Sequence, residues 1–182
     1  MTITNNISRA ISMIQNGDII AYPTEAVFGL GCDPFNARAV ERLIALKNRD
    51  VLKGLIILIS SWEQFHQLTR PIPEKHMQQI KQTWPGHVSW ILPKSELVPD
   101  YLTGSRDTIA LRMSAHPVAY ALCEAGPLIS TSANISGQEP AKSMDELSAQ
   151  FPKGIDGIVE GALGGAQRPS QIFNAMTGEK LR

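Results

Sequence analysis

Leu55 to Ile59 reads LIILI, an apolar run with no polar residue at either parity. Successive strand residues point to opposite faces, so a strand without alternation has both faces covered. That marks a central strand of an α/β sheet. The surrounding sequence supplies helices and further strands. Ile7, Ala10, Ile11 and Ile14 recur at helical spacing, with Gly17 at the C-terminal stop. Asn36 is placed to cap a helix through Leu46, with Val40, Leu43 and Ile44 inside. Ser60 with Glu63, and Ser143 with Glu146, read as capping boxes for helices through Leu68 and to about Phe151. Pro73 to Gln82 and a segment opened by His116-Pro117 and closed by Gly126 read as two more. Strands are expected at Asp18–Tyr22, His87–Leu92, Thr108–Met113, Leu128–Ser130 and Ile155–Val159.

The chain has 182 residues, enough for one domain, 1–182, with a proper core. Its net charge is zero, so there is no global footprint for nucleic acid and a basic surface must be a local patch. Cys32 and Cys123 stand alone, which fits neither a disulfide framework nor a thiolate zinc site; both read as small buried hydrophobes. No signal peptide is legible at the N-terminus, and no apolar run approaches the roughly 18 residues of a membrane span. A cytoplasmic protein is expected.

The chemistry is concentrated in loops that follow strands, where α/β sheets bind ligands. The first is LISTSANISG, Leu128 to Gly137. If extended, Ser132 and Asn134 share a face; the alternative is an ordinary Ser/Asn turn. The second is YPTEAVFGLGCD, Tyr22 to Asp33. Thr24 and Glu25 follow a strand end, and Gly29 and Gly31 allow close backbone approach; a glycine-rich hairpin with Glu25 solvated is the other reading. The third runs from Lys47 to Gly54. Lys47 and Arg49 would diverge by about 200° in a helix but share a face if extended. Such a pair suits a polyphosphate, although cations at a helix C-terminus are also favoured by the macrodipole. Ser89 should face away from the Trp90 side. Arg112 shares a strand face with Thr108 and Ala110, so it is either exposed or lines a site. His116 reads as a structural or surface residue rather than a base, and four histidines leave little for a metal site.

The common nucleotide fingerprints, the nucleophile elbow and a Cys/His pair are absent. What remains suits binding phosphates and a small amino acid. Taken together, YPTEAVFGLG, LKNRDVLKGL, WPGHVSWILP, ALRMSAHP and LISTSANISG resemble the ordered motifs of the threonylcarbamoyl-AMP synthases in their short, single-domain bacterial form. The resemblance runs from about Ile7 to Arg182. It implies a YrdC-like α/β fold: a twisted, mixed, largely parallel sheet with flanking helices around a concave basic cavity. It also implies synthesis of threonylcarbamoyl-adenylate and pyrophosphate from L-threonine, bicarbonate and ATP, with Mg2+ on the phosphates. The product would serve a tRNA-modifying threonylcarbamoyl transferase complex.

By the same resemblance the K-x-R and S-x-N signatures fall on Lys47, Arg49, Ser132 and Asn134, the expected catalytic set. Thr24, Arg112 and Ser170 match the threonine site. Ser89 and Arg182 join the signature residues in the ATP site. His87 departs from the usual proline of the turn before the strand, and Ile57 or Leu58 fills a place that is His in longer relatives. Two other functions fit a similar cavity: an RNA-binding or ribosome-maturation module, and a carbamoyl-transfer enzyme. The 6% aromatic content disfavours the first, and the missing zinc-finger-like cysteines the second.

Overall fold

The structure is a computed structural model that describes residues Met1–Arg182. Nine strands form one sheet: β1 Thr2–Thr4, β2 Ile20–Pro23, β3 Phe28–Gly31, β4 Ile56–Ile59, β5 Val88–Pro93, β6 Thr108–Met113, β7 Leu128–Ser132, β8 Gly157–Val159 and β9 Gln171–Asn174. Seven α-helices accompany them: α1 Ile7–Gln15, α2 Ala37–Leu46, α3 Trp62–Leu68, α4 Glu74–Thr83, α5 Asp100–Thr103, α6 Pro117–Leu122 and α7 Met144–Gln150. The strand order is β1-β8-β2-β3-β7-β4-β6-β5-β9. Pairs β1/β8, β2/β8, β4/β6 and β5/β9 are parallel; β2/β3, β3/β7, β4/β7 and β5/β6 are antiparallel. The expected mixed α/β sheet is present, with parallel pairing at half of its interfaces.

Register sorts the two faces. On one, Ala21 and Leu30, Ile57 and Ile129, Ile57 and Leu111, and Leu111 and Trp90 are partners across strands. They belong to the main core, which α2, α3, α4 and α7 cover through Leu43, Phe65, Ile80 and Leu147. On the opposite face Ile20, Tyr22, Leu58, Leu128 and Val159 pack under α1 and α6. This second cluster covers only part of its face. Beyond it the face carries Gly29, Ser130, Ser132, Ile56 and Ala110, linked in register. Most of these side chains are too small to fill the space above the sheet. The LIILI run is therefore covered by the main core on one side, while Ile56 and Leu58 on the other help floor a cavity.

Several local expectations need correction. Helix α3 is capped by Ser61, which accepts from the Gln64 amide at 3.2 Å. Ser60 instead donates its hydroxyl to the Cys123 carbonyl at 2.9 Å. Ser143 does cap α7, but the Glu146 carboxylate accepts from Lys142 N rather than closing a capping box. The connection after Pro93 contains α5. Strands β1, β3 and β9 add to the expected set. The glycine-rich β3 forms the hairpin with β2, and a Cβ on Gly31 would lie 2.2 Å from the Ile129 carbonyl oxygen. Strand β7 runs on to Ser132 because Thr131 and Ser132 pair with Leu30 and Gly29.

Candidate active site

A cavity of about 330 Å3 opens above the small-residue face, within the size range of small-molecule sites. Gly29, Ile56, Leu58, Ser130, Thr131 and Ser132 contribute to its floor and walls. Arg49, Arg112, Lys142, Arg168 and Arg182 line it, against one carboxylate, Glu139. The neutral chain thus concentrates positive charge in one concavity, where low-dielectric walls focus the field on an anionic ligand.

Strand β6 carries Arg112 onto this face, where the residue is buried. Its Nε donates to the Gly86 carbonyl at 3.1 Å, and one Nη2 serves both His87 Nδ1, at 2.9 Å, and the Glu25 carboxylate. Glu25 in turn accepts from Ser114 Oγ at 2.8 Å and Ala115 N at 3.2 Å. Burial works to raise the Glu25 pKa, but the Arg112 charge and these hydrogen bonds outweigh it and hold the carboxyl below its usual range. Glu25 is therefore a fixed anion that orients Arg112. Of the two options for Arg112, the structure selects the site-lining one.

Thr24 lines the cavity and is buried; its hydroxyl donates to Val27 O at 2.6 Å, which leaves oxygen lone pairs available. Ser170 also lines the cavity. Arg182 donates from Nε to the Ser170 carbonyl at 3.0 Å and from Nη2 to its hydroxyl at 3.2 Å. Burial, then the neighbouring Arg112 charge, lowers the Arg182 pKa. Ser89 is fully buried and 3.3 Å from the Ser170 hydroxyl, one layer behind the wall. Parallel pairing of β9 with β5 sets that contact.

The K-x-R and S-x-N motifs meet, but not as two pairs of side chains on common faces. Lys47 ends α2 with helical dihedrals, and Asn48 has φ 49°, so the chain turns between Lys47 and Arg49. Arg49 reaches the cavity and donates to the Gly54 carbonyl at 2.9 Å; its Nε is buried without a partner. Burial depresses its pKa. Lys47 is buried and donates its ammonium to the Ser132 and Asn134 carbonyls, the latter at 2.7 Å. Burial, then the Arg49 charge, pushes Lys47 down to about 7. Ser132 lines the cavity and donates to Asn134 Oδ1 at 2.6 Å. The Asn134 amide holds the Ile135 and Gln138 carbonyls, both at 2.9 Å. Lys47 and Asn134 thus build the loop that presents Ser132, Thr131 and Ser130.

The segment between β8 and β9 lies across the site and supplies Ala166, Gln167, Arg168, Pro169 and Ser170 to its lining. Its backbone is tied to the Thr24–Glu25 turn by Gly164 N to Thr24 O, 3.0 Å, and Ala166 N to Glu25 O, 2.7 Å. A Cβ at Gly164 would come within 2.9 Å of Glu25 Cα, so this approach needs glycine. Arg168, Lys142, Glu139 and His87 as lining residues were not legible in the sequence. His116 is structural as expected, with Nε2 2.9 Å from the Ala162 carbonyl. Both cysteines are buried, and burial pushes the Cys32 thiol up to about 12.

The family model for Sua5, YciO and YrdC proteins, described as telomere recombination, matches residues 12–182. The chain belongs to the Sua5/YciO/YrdC family. A family relative named threonylcarbamoyl-AMP synthase, from Coxiella burnetii (strain RSA 493 / Nine Mile phase I), is 47% identical over 98% of this chain and 97% of its own length. A Pseudomonas putida (strain F1) protein of the same name is 46% identical over 100% and 99%. The crystal structure of P. abyssi Sua5 complexed with L-threonine has a TM-score of 0.88 and 36% identity over 95% of this chain. The chain spans 53% of that longer protein, about half its length. E. coli YciO, at 24% identity and a TM-score of 0.83, covers 99% of this chain and 94% of its own and shares the fold.

Proposed function

We infer that this chain is a threonylcarbamoyl-AMP synthase, making L-threonylcarbamoyladenylate and pyrophosphate from L-threonine, bicarbonate or CO2, and ATP. The observation that carries this reading is the arginine-ringed cavity over a floor of glycine and serine, in a chain matched along its length by relatives of that name. The threonine amine adds to the carbon of CO2 and loses a proton, giving an N-carboxylate. A carboxylate oxygen then bonds to the α-phosphorus of ATP while the bond to the β-phosphate bridging oxygen breaks, and pyrophosphate leaves. No protein nucleophile is needed, so catalysis rests on positioning and charge stabilisation.

Each side chain has a place in that scheme. Thr24, Arg112 and Ser170 receive threonine, with Arg112 facing its carboxylate. Arg49 and Arg182 neutralise the phosphates. Ser132 orients the α-phosphate or the carbamate, on a loop held by Lys47 and Asn134. Ser89 acts on ATP and threonine through Ser170. No three His, Cys, Asp or Glu residues cluster as a metal centre, and Glu139 is the one carboxylate on the wall. That donor set fits Mg2+ arriving on ATP with phosphate and water ligands, and Glu139 is the lining carboxylate that would be available to it. The ion would neutralise charge on the leaving pyrophosphate.

The product is an activated carbamoyl donor, consumed in forming N6-threonylcarbamoyladenosine beside the anticodon of tRNA. A threonylcarbamoyl transferase complex is the partner, and the cytoplasm is the expected compartment. No helix is long and apolar enough to cross a membrane. The cations point into a concavity rather than along an open stripe, which favours a small anion over RNA.

Pyrophosphate release should be measured with and without L-threonine and bicarbonate. Release that requires both and falls away with L-serine supports the reading. Release independent of threonine, or none from folded protein, overturns it.

A further inference from the structure

We propose that His87 is a positioning residue that couples the threonine-facing guanidinium of Arg112 to the 161–170 segment across the cavity. This rests on the assignment of Arg112 to threonine made above. His87 follows Gly86, whose carbonyl already accepts from Arg112 Nε, and both nitrogens of its ring are engaged. Arg112 Nη2 lies 2.9 Å from Nδ1, and the Arg168 carbonyl oxygen lies 2.8 Å from Nε2.

These two contacts fix the tautomer. A guanidinium can only donate, so Nδ1 must present its lone pair. A carbonyl can only accept, so Nε2 must carry the proton. The neutral Nε2–H form satisfies both contacts. The Glu25 carboxylate, 3.9 Å from Nδ1, is committed to Arg112 itself. Arg112 is therefore fixed from three directions by Gly86, Glu25 and His87. Through the far side of its ring His87 also holds Arg168, whose segment has no helix or strand of its own. Tightening or loosening that segment moves the imidazole, and with it the Arg112 fork.

Conservative variants separate the two contacts. The amide of Asn places an acceptor near the Nδ1 position, and that of Gln places a donor near the Nε2 position. Threonine KM, ATP KM and kcat are measured together with hydrogen exchange of the segment's amides. His87→Ala should raise threonine KM about tenfold, the effect of one charge-assisted hydrogen bond, with a much smaller change in kcat. It should also speed exchange at Gly164 and Ala166. His87→Asn should restore threonine KM but not protection; His87→Gln should restore protection but not KM. Nitrogen NMR of the wild-type ring should show the proton on Nε2.

The proposal is overturned if His87→Ala changes neither threonine KM nor exchange, if the Asn and Gln variants lose the same properties equally, or if Nδ1 carries the proton. If wild-type protein shows no threonine-dependent turnover, the substrate assignment fails. Exchange and ring NMR then still decide the coupling of Arg112 to the segment.

Discussion

The Lys47 ammonium lies 2.7 Å from the carbonyl oxygen of Asn134 and also donates to that of Ser132. The lysine of one motif is thus the strut beneath the other. It ties down two backbone acceptors: the part-buried Asn134 carbonyl, and the Ser132 carbonyl, which also accepts from the Asn134 backbone amide at 2.9 Å. The Ser136 amide adds a backbone tie to the Lys47 carbonyl at 2.8 Å.

Removing that strut should damage structure and turnover together. Lys47→Met leaves the part-buried Asn134 carbonyl without its lysine donor, which should destabilise the fold by about 1–3 kcal/mol. Loss of the preorganised loop should lower turnover by on the order of 10²-fold. Urea unfolding and pyrophosphate release measure the two. Near-normal adenylate formation by the variant would remove Lys47 from the machinery.

The lowered Lys47 pKa gives stability a pH dependence with a defined sign. The unfolded lysine holds its proton up to about 10.5, whereas the folded one loses it above about 7. Between those values the unfolded state binds more protons, so Lys47 makes stability rise with pH across that window. Below pH 7 both states are protonated and the burial penalty is felt in full. Urea midpoints from pH 6 to 10 should show this rise in the wild type and lose that contribution in Lys47→Met.

Glu25 behaves in the opposite sense. Its folded pKa lies below the reference value of 4.5, so its stabilisation is present above about 4.5 and disappears as pH falls through the folded value. Glu25→Gln should destabilise the protein at pH 7 by about 3 kcal/mol, as breaking one side of a buried ion pair does. The difference from wild type should shrink when both are unfolded in acid. A constant difference across pH would show that the carboxylate charge is not what holds Arg112.

The layering of Ser89 behind Ser170 predicts unequal effects. Ser170→Ala removes a wall hydroxyl and its contact with Arg182 Nη2, leaving the Nε bond to the Ser170 carbonyl, and should raise substrate KM about tenfold. Ser89→Ala removes only a 3.3 Å contact to that hydroxyl and should be milder. Steady-state kinetics on the two variants checks the order. A larger loss from Ser89→Ala would place the Ser89 hydroxyl against substrate.

Gly31→Ala tests the close approach of β3 to β7. With its Cβ 2.2 Å from the Ile129 carbonyl oxygen, a methyl forces β3 and β7 apart, a backbone shift costing about 3 kcal/mol or more. Thermal unfolding should show a large loss of stability. An unchanged midpoint would mean that the backbone approach is looser than the register implies.

The sequence by itself determined the elements with strong periods and the family's ordered motifs. LIILI specified a central strand, Asn36 a helix cap, and the Thr108–Ala110–Arg112 alternation a strand face, because these depend on local dihedrals and near neighbours. It also placed Thr24, Arg49, Arg112, Ser132, Ser170 and Arg182 among candidates that the fold brings to one cavity. Tertiary structure decided which side chains point inward. Lys47 and Arg49 diverge because the chain turns at Asn48, and Asn134 faces its own loop because the Ile135 and Gln138 carbonyls lie there. Whether Arg112 was exposed or inward depended on Glu25, which is 87 positions away in sequence and paired with it only in the folded sheet (112 − 25). Arg168 joins the site through a segment without periodicity and meets His87 there, brought across the cavity by contacts that no local pattern encodes. Local preferences fix elements; cross-strand register and long-range hydrogen bonds select which of their residues meet.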